Sequence, residues 1–289
     1  MSVAVVVARS LRDALWALAQ SSENSRVLAG GTDLMVELRS GRTQPDLVVD
    51  VWKLGELRGI RREQGGLRLG ALTTCAELAR SDAVREHADI LALAASEVGA
   101  EQIQNRATIG GNLGTASPAA DLTPVLLALE ARVRLVAFVG ERELPLEQFF
   151  LDYRRTARRP EELIESVFVP AREPGERRAF RKVGTRRAQS ISKLVVALAL
   201  RVEDGRIAFA RAAAGSVAPT TIRLRHLERT LEGAAPSPAV LDRAAVEGAL
   251  RDARPIDDVR STAAYRRHAL RRVLATLLGE LTGPAQCPT

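Results

Sequence analysis

The stretch of the chain best suited to chemistry is residues 108–121, with the sequence Thr-Ile-Gly-Gly-Asn-Leu-Gly-Thr-Ala-Ser-Pro-Ala-Ala-Asp. The adjacent glycines at 110 and 111 lack Cβ atoms, so the backbone there can adopt a positive φ or lie flat against a ligand. Small and hydroxyl-bearing residues follow, where a core segment would carry Leu, Ile or Val. Backbone N–H groups and short donors suit a ligand that carries phosphate and many hydroxyl groups.

A second glycine pair, Gly30 and Gly31, lies in the stretch Val-Leu-Ala-Gly-Gly-Thr-Asp at residues 27–33. A strand that ends in two glycines, followed by a helix that begins at Thr32 or Asp33, offers free backbone amides to an anion. Asp33 can equally be the N-cap of that helix. Together the two glycine pairs predict that one extended ligand is held from two sides.

The patterns around these stretches predict alternating strands and helices. The first 55 or so residues are expected to form a β-α-β-α-β unit, whose first helix begins after Ser10 in a capping pattern with Asp13. The predicted strands are residues 3–7, 27–28, 46–51, 67–72, 132–138 and 162–169. The predicted helices begin within 73–77, span 90–98, and cover 122–129 with Pro124 in the first helical position.

The charged segment 172–178, which contains Pro174 and Gly175, is the predicted domain boundary. Beyond it, residues 194–202 and 207–213 predict a β-hairpin around Asp204 and Gly205, a type I′ turn signal. Residues 237–281 predict two helices separated at Pro255. The C-terminal part is therefore expected to be a small sheet backed by helices.

Composition narrows the functional classes. With 289 residues, two domains are expected. The net charge of +7 invites a nucleic-acid partner, but the basic residues are nearly all arginines interleaved with acids, and aromatic residues make up only 3%. No nucleic-acid partner is therefore expected. No apolar run approaches the ~20 residues of a membrane span, and residues 3–7 are too short for a signal peptide, so a cytoplasmic chain without membrane contact is expected.

Single residues carry further expectations. Cys75 and Cys287 lie far apart without a C-x-x-C motif, so no iron–sulfur cluster or zinc site is expected in this chain. Cys75, Trp16 and Trp52 are expected in the core. The arginines of the last helix are expected to face solvent. They are Arg266, Arg267, Arg271 and Arg272.

Several motifs together resemble the FAD-binding medium subunit of the molybdenum hydroxylases, which include bacterial xanthine dehydrogenases and carbon monoxide dehydrogenase. Leu-Ala-Gly-Gly-Thr-Asp-Leu at 28–34 resembles the family's first pyrophosphate loop, and Thr-Ile-Gly-Gly-Asn at 108–112 the second. Ser-Pro-Ala-Ala-Asp-Leu-Thr-Pro at 117–124 resembles the tail of that second loop. Further similar segments are 149–156 with 161–164, 182–192, 215–219, Arg223 and 258–266. The resemblance covers essentially the whole chain.

The resemblance implies an α+β fold. Residues 1–174 would form the two-lobed FAD-binding domain of the vanillyl-alcohol-oxidase/CO-dehydrogenase flavoprotein type, with lobes at about 1–55 and 56–174. Residues 175–289 would form the family's C-terminal α+β domain, a small antiparallel sheet with helices.

The resemblance also implies that FAD is the cofactor and which residues bind it. Leu34 would pack on the isoalloxazine, Arg26 would lie beside the cofactor, and Lys182 would lie near the flavin ring. Ser117 and Asp121 would hydrogen-bond sugar or ribityl hydroxyls. The diphosphate and ribityl contacts, chiefly backbone amides in the first loop, would come from Ala29, Gly30, Gly31, Thr32, Asp33, Thr108, Gly110, Gly111 and Asn112, with Ile109 and Thr115 in the same site.

The chain departs from the family pattern at two places. Gln104 stands where a basic residue is common, and Gln189 and Ser190 stand where an acidic residue is common. The loss of a carboxylate there leaves the field at the flavin more positive, which favours anionic reduced flavin and leaves the preferred electron acceptor open.

As implied by the resemblance, the chain would be the electron-transfer subunit of a heterotrimeric molybdenum hydroxylase. Electrons would come from [2Fe–2S] clusters in a small subunit, beside a large molybdopterin subunit, and would pass to NAD⁺ or another acceptor. A dimer of heterotrimers is implied, and this chain needs neither a catalytic residue of its own nor a metal. The substrate is not named, because its pocket would lie in another chain. Two alternatives stay open, a self-sufficient FAD-dependent oxidase or reductase on the same scaffold and a scaffold protein without cofactor.

Overall fold

A computed structural model describes residues 3–186 and 188–283, which pack into two compact units. The first unit comprises the residues up to Ser117 together with Glu130–Ala171, and the second comprises Pro118–Leu129 together with the residues from Arg172 onward. The sequence-based boundary near residue 174 stays a prediction. It assigned residues 118–129 to the first domain, whereas their helix packs on three strands of the second unit.

The first lobe of the first unit is the predicted β-α-β-α-β unit. Its three strands are parallel, in the order β1-β3-β2. Ser10 caps the first helix, since its Oγ accepts a hydrogen bond from the Asp13 N–H at 3.1 Å, as the sequence pattern predicted. The elements are β1 (Ala4–Val7), α1 (Leu11–Ala19), β2 (Arg26–Leu28), α2 (Leu34–Arg39) and β3 (Leu47–Asp50).

The second lobe is an antiparallel sheet covered by short helices, in the strand order β4-β5-β10-β6-β7. The strands predicted near 67–72, 132–138 and 162–169 and the helix near 90–98 are confirmed. The edge strands β4 and β7 escaped prediction because edge strands carry charges in place of an apolar pattern. The elements are β4 (Ile60–Glu63), β5 (Gly66–Gly70), α3 (Cys75–Arg80), α4 (Asp82–His87), α5 (Asp89–Ser96), α6 (Glu101–Gln104), α7 (Ile109–Thr115), β6 (Arg132–Val136), β7 (Glu141–Pro145), β8 (Phe150–Asp152), β9 (Arg155–Thr156) and β10 (Leu163–Pro170).

One apolar cluster joins the two lobes of the first unit. Leu15 and Leu18 of α1 pack in the same cluster as Leu72, Val136 and Leu163 of the second lobe. Burial of apolar side chains from both lobes therefore fixes the two lobes against each other.

The second unit is an antiparallel sheet in the order β11-β12-β13-β14, backed by helices. The predicted hairpin is confirmed, and Asp204 (φ 48°) and Gly205 (φ 74°) have the positive angles of a type I′ turn. The elements are α8 (Leu122–Ala128), β11 (Arg177–Val183), β12 (Leu194–Glu203), β13 (Arg206–Gly215), β14 (Ile222–Arg223), α9 (Arg225–Leu231), α10 (Pro238–Arg243), a π-helical turn (Ala244–Gly248), α11 (Ala249–Asp252) and α12 (Ala263–Thr282).

Four sequence-based expectations about single residues are wrong, one of them the core position of Trp52, which is half-buried. Helix α8 begins at Leu122, so Pro124 is its third residue, where a missing N–H still costs nothing because the first turn has no intrahelical acceptors to bond. Trp16 is 58% exposed. Arg266 is only 3% exposed, because its guanidinium is satisfied by the carbonyls of Lys193 and Ile256 and by the carboxylate of a nearby aspartate.

Residues 3–186 and 188–283 contain no helix that is both long and apolar enough to cross a bilayer. The same residues contain no group of three His, Cys, Asp or Glu side chains placed to hold a metal ion. Cys75 is buried as expected, and Cys287 lies outside the described residues.

Candidate functional site

The first glycine pair forms a turn between β2 and α2 whose amides point away from other protein groups. Gly31 has φ +76°, which glycine adopts without strain. Among the described residues, the backbone N–H groups of residues 30–34 form no hydrogen bond. All five residues are half-buried. Successive unpaired N–H groups in such a turn form an anion-binding concavity, and we call residues 30–34 the amide cradle.

Asp33 does not compete for these amides. It occupies the N-cap position of α2, but its side chain forms no capping hydrogen bond and its backbone (φ −114°, ψ −54°) is not in the extended conformation of a usual N-cap. Asp33 is therefore the N-cap residue by position, as the sequence allowed, but it does not cap the helix through its side chain, and the first turn of α2 keeps its donors for a ligand.

The second glycine pair is part of a helix, contrary to the expectation of a loop. Gly110 and Gly111 are the second and third residues of α7, and both amides are used within the chain, by the Ala71 carbonyl (2.8 Å) and by Thr108 Oγ1 (3.0 Å). The Ile109 amide donates to the Thr73 carbonyl (3.0 Å) and the Asn112 amide to the Thr108 carbonyl (2.9 Å). The free amides expected of this pair are therefore not available.

Glycine is needed at position 110 because two backbone segments approach closely. A Cβ on Gly110 would lie 2.7 Å from the Ala71 Cβ and 2.8 Å from the Ala71 oxygen. Gly110 therefore serves packing of α7 against residues 71–73. Thr108 is only 2% exposed and caps α7, whereas Asn112, Thr115 and Ser117 are half-buried and offer side chains to a cofactor.

The structure brings the two glycine segments together. A Cβ on Gly30 would lie 1.7 Å from the Arg106 carbonyl oxygen, so only glycine fits there. The Arg106 Nε donates a 3.2 Å hydrogen bond back to the Gly30 carbonyl. Since Arg106 is two residues before Thr108, the amide cradle lies directly beside the start of the second segment. Arg106 was not among the predicted site residues.

In the second unit, Asp121 and Lys182 form a buried ion pair. The Lys182 Nζ donates to Asp121 Oδ2 at 2.7 Å, and the Ser192 hydroxyl donates to Asp121 Oδ1. The Lys182 side chain is only 5% exposed and that of Asp121 11%, so both charges are withdrawn from solvent. Burial raises the pKa of the Asp121 carboxyl, although Lys182 and Ser192 oppose that rise. Asp121 occupies the N-cap position of α8, without a capping hydrogen bond from its side chain.

Ser192 was missed as a site residue, and its position depends on Arg266. The neighbouring Lys193 carbonyl accepts a 3.3 Å hydrogen bond from Arg266 Nε, and Arg266 also binds both carboxylate oxygens of Asp258 at 2.9 Å. Burial alone would raise the pKa of Asp258, but hydrogen bonds from Arg266 and from two backbone amides outweigh it and lower that pKa. The sequence signal for the Asp258–Arg266 ion pair was that both residues lie in segment 258–266, one of the segments that resemble the family.

The remaining predicted residues each have their own surroundings. Ala29 and Thr32 are half-buried in the first loop, and the Arg26 guanidinium donates to the Ser25 carbonyl at 2.9 Å. Thr115 closes α7, and the following Ala116 adopts a left-handed conformation (φ 49°) that ends the helix. Three residues depart from the family pattern. Gln104 donates to the Ser96 carbonyl at 2.8 Å, Gln189 is exposed and Ser190 is half-buried.

Two family models together match most of the chain. The family model described as the FAD binding domain in molybdopterin dehydrogenase matches residues 1–172, and that of the CO dehydrogenase flavoprotein C-terminal domain matches residues 178–281. The xanthine dehydrogenase FAD-binding subunit of Escherichia coli O157:H7 is 31% identical over 281 residues, 96% of this chain and 95% of that one. The 6-hydroxypseudooxynicotine dehydrogenase complex subunit alpha of Paenarthrobacter nicotinovorans is 32% identical over 275 residues, 95% and 93% of the two chains. The solved carbon monoxide dehydrogenase from Hydrogenophaga pseudoflava matches with a TM-score of 0.92 at 28% identity, over 96% of each chain.

Proposed function

We propose a function from one premise: this chain belongs to the family of FAD-binding subunits of molybdenum hydroxylase-type dehydrogenases. Membership confirms the resemblance and the fold that the sequence motifs indicated. It makes the chain an oxidoreductase subunit with FAD as its cofactor, and the relatives are likewise subunits of multi-subunit dehydrogenases. The source and the destination of the electrons, and the residues that bind FAD, are the proposal.

The amide cradle carries the proposal. FAD contains a diphosphate, and consecutive free N–H groups in a half-buried turn are suited to bind phosphate oxygens. Gly30 has no room for a side chain and Gly31 has a left-handed backbone, so this turn is shaped for backbone contacts. We assign the diphosphate to the amides of Gly30, Gly31, Thr32, Asp33 and Leu34, with Ala29 and Arg26 alongside.

The other predicted residues would act through side chains. The Asn112, Thr115 and Ser117 side chains would contact ribityl or sugar hydroxyls, and Leu34 would pack on the flavin ring. The Thr108 side chain is only 2% exposed and caps α7, so its part would be to hold that helix. Because Lys182 and Ser192 already bind both oxygens of Asp121, that carboxylate would contact FAD as a member of a fixed triad. Gly110, Gly111 and Ile109 would hold α7 in place.

Electrons would reach FAD from [2Fe–2S] clusters in a small partner subunit, which receive them from a large molybdopterin subunit. When bound, the flavin supplies the redox chemistry, since it can exchange one or two electrons. The chain would pass the electrons on to NAD⁺ or another acceptor. Its own residues bind and orient the cofactor, and a dimer of heterotrimers would be the assembly.

A matched pair of substitutions tests the cradle. The purified chain should show the absorbance bands of oxidised flavin, and Thr32→Glu should abolish them, because a carboxylate in the cradle repels the diphosphate. Thr43→Glu, the same change in the turn after α2, should leave the bands and the apo unfolding midpoint unchanged. A wild-type chain that takes up no added FAD would refute the proposed cofactor role.

Turnover separates a subunit from a complete enzyme. The isolated FAD-loaded chain should reduce dyes with NADH at most, and it should oxidise no purine, carbon monoxide, N-heterocycle or aldehyde until small and large partner subunits are added. Oxidation of any of these substrates by the chain alone would favour the self-sufficient oxidase.

A further inference from the structure

Trp52 lies under two arginine side chains. It is the second residue after the end of β3 and is half-buried rather than in the core. The guanidinium carbon of Arg106 lies over the indole ring at 3.9 Å from its centroid, and that of Arg58 lies over it at 4.5 Å. A guanidinium over a tryptophan face is the most favourable protein cation–π geometry. The indole therefore orders two arginines at once.

Arg106 connects this ring to the amide cradle. Its Nε donates to the Gly30 carbonyl at 3.2 Å, and its own carbonyl occupies the space where a Gly30 side chain would be. In a trans peptide the C=O of residue 30 and the N–H of residue 31 point in opposite directions. A hydrogen bond that fixes the Gly30 oxygen on Arg106 therefore turns the Gly31 N–H away from Arg106, to the side where a ligand can bind it.

Arg58 connects the same ring to the second glycine segment. Its guanidinium donates to the Trp52 carbonyl at 2.8 Å and to the Leu72 carbonyl at 3.3 Å. The residues on either side of Leu72 provide the carbonyls, Ala71 and Thr73, that accept the first two amides of α7. The Trp52 ring is thus linked to both segments that flank the proposed FAD site.

We propose that Trp52 and Arg106 are positioning residues for the FAD diphosphate: the indole orders the Arg106 guanidinium, and Arg106 orients the Gly30–Gly31 peptide. This inference rests on the proposed function, because it concerns how the same cradle binds FAD. Arg106 is otherwise exposed, so without the ring its long side chain would gain rotamer freedom and hold the Gly30 carbonyl less often.

The test compares two arginines of equal charge near the same surface. Arg106→Met removes the stacked guanidinium and the donor to Gly30. Arg80→Met removes an exposed arginine that pairs with Glu101. Arg80 lines the same cavity as Trp52, but among the described residues the guanidinium groups that lie over the indole are those of Arg58 and Arg106. We expect FAD to bind Arg106→Met about fivefold to tenfold more weakly than wild type, the loss of about one hydrogen bond and its ordering. Arg80→Met should bind FAD within about twofold of wild type. Affinities are compared at a temperature at which both apo variants are fully folded, because Arg106→Met also loses its contact with the indole and should be the less stable of the two.

A second readout does not depend on FAD. The chain has two tryptophans, so Trp16→Phe leaves Trp52 as the single emitter. In that background Arg106→Met should shift the Trp52 emission of the apo chain and Arg80→Met should not. Trp52→Phe, which keeps an aromatic face, should retain FAD binding within about twofold, while Trp52→Leu should match Arg106→Met.

The outcomes separate the two proposals. If wild type binds FAD and Arg106→Met binds it as tightly as Arg80→Met does, the positioning role is wrong and the proposed function stands. If Trp52→Leu binds FAD like wild type, the indole has no such role. If wild type takes up no FAD, the proposed function fails and this inference fails with it.

Discussion

Helix α7 offers a direct test of the packing role assigned to its glycines. Gly110 and Gly114 are four residues apart in the same helix, and neither has a positive φ. A Cβ on Gly114 would meet only Ile164 Cδ1 at 3.7 Å, an ordinary contact, whereas a Cβ on Gly110 would meet the Ala71 backbone. The same substitution, glycine to alanine, should therefore have opposite effects at the two positions.

The magnitudes follow from helix propensity and crowding. Gly114→Ala should raise the free energy of unfolding by up to about 1 kcal/mol, because alanine loses less backbone entropy in a helix. Gly110→Ala has the same gain but must open contacts of 2.7 and 2.8 Å with Ala71, and overpacking costs about 1–3 kcal/mol. The shift also stretches the 2.8 Å hydrogen bond between the Gly110 amide and the Ala71 carbonyl, worth about 1 kcal/mol. The two variants should differ by about 2–4 kcal/mol, with Gly110→Ala the less stable.

Urea unfolding of the FAD-free variants, followed by circular dichroism, measures this difference without any contribution from the cofactor. Equal stabilities of Gly110→Ala and Gly114→Ala would refute the close packing of α7 on Ala71. Since the Gly110 amide already has a partner within the chain, Gly110→Ala should lower FAD affinity only as a consequence of its lower stability. A Gly110→Ala chain as stable as wild type that cannot bind FAD would instead indicate that this glycine contacts the cofactor.

Three further predictions concern the second unit. Asp121→Asn and Lys182→Met should each lower the free energy of unfolding by about 3–5 kcal/mol, because each leaves one buried charge unpaired. The double variant should lose clearly less stability than the sum of the two single losses. Additive losses in urea unfolding would contradict the ion pair. The pKa of Asp258 is lowered in the folded chain, so its contribution to stability is present above the ordinary pKa of 3.8 and is lost as the pH falls through the folded-state value. The stability advantage of wild type over Asp258→Asn should therefore shrink below about pH 4. An advantage that does not change with pH would exclude this linkage. A Cβ at position 205 would have no atom within 4 Å, but the backbone there has φ +74°. Gly205→Ala should therefore lower the free energy of unfolding by about 1 kcal/mol through backbone strain alone. An unchanged urea midpoint would argue against the type I′ turn.

The sequence predicted those parts of the fold that depend on local patterns. Alternating apolar residues identified β5, β6, β10 and the β12–β13 hairpin, and the Ser10 cap identified the start of α1. It missed β4 and β7, because edge strands are held by backbone hydrogen bonds and need no apolar pattern. It also misplaced Trp16 and Arg266, since burial of a single residue depends on what packs against its side of a helix, and local sequence does not contain that information.

In the candidate site, too, the sequence predicted what depends on local pattern and missed what depends on distant partners. The glycine pairs were recognisable because glycine is rarely tolerated without a conformational or packing reason. Which reason applies could not be predicted, since it depends on Arg106 beside Gly30 and on Ala71 beside Gly110, residues that are 76 and 39 positions away in the chain. Ser192 and Trp52 were missed as site residues for the same cause, because each acts through a partner distant in sequence.

The two glycine pairs therefore have different physical tasks although their sequences look alike. At Gly30 and Gly31 the absence of side chains frees successive amides, whereas at Gly110 and Gly111 it lets a helix start against another backbone and consumes the amides. If the first pair supplies the phosphate donors, then any change that displaces the second pair weakens FAD binding only indirectly, through residues 71–73 and Arg106. A substitution that abolishes FAD binding without loss of stability is accordingly expected in the amide cradle, and one that lowers both is expected in α7.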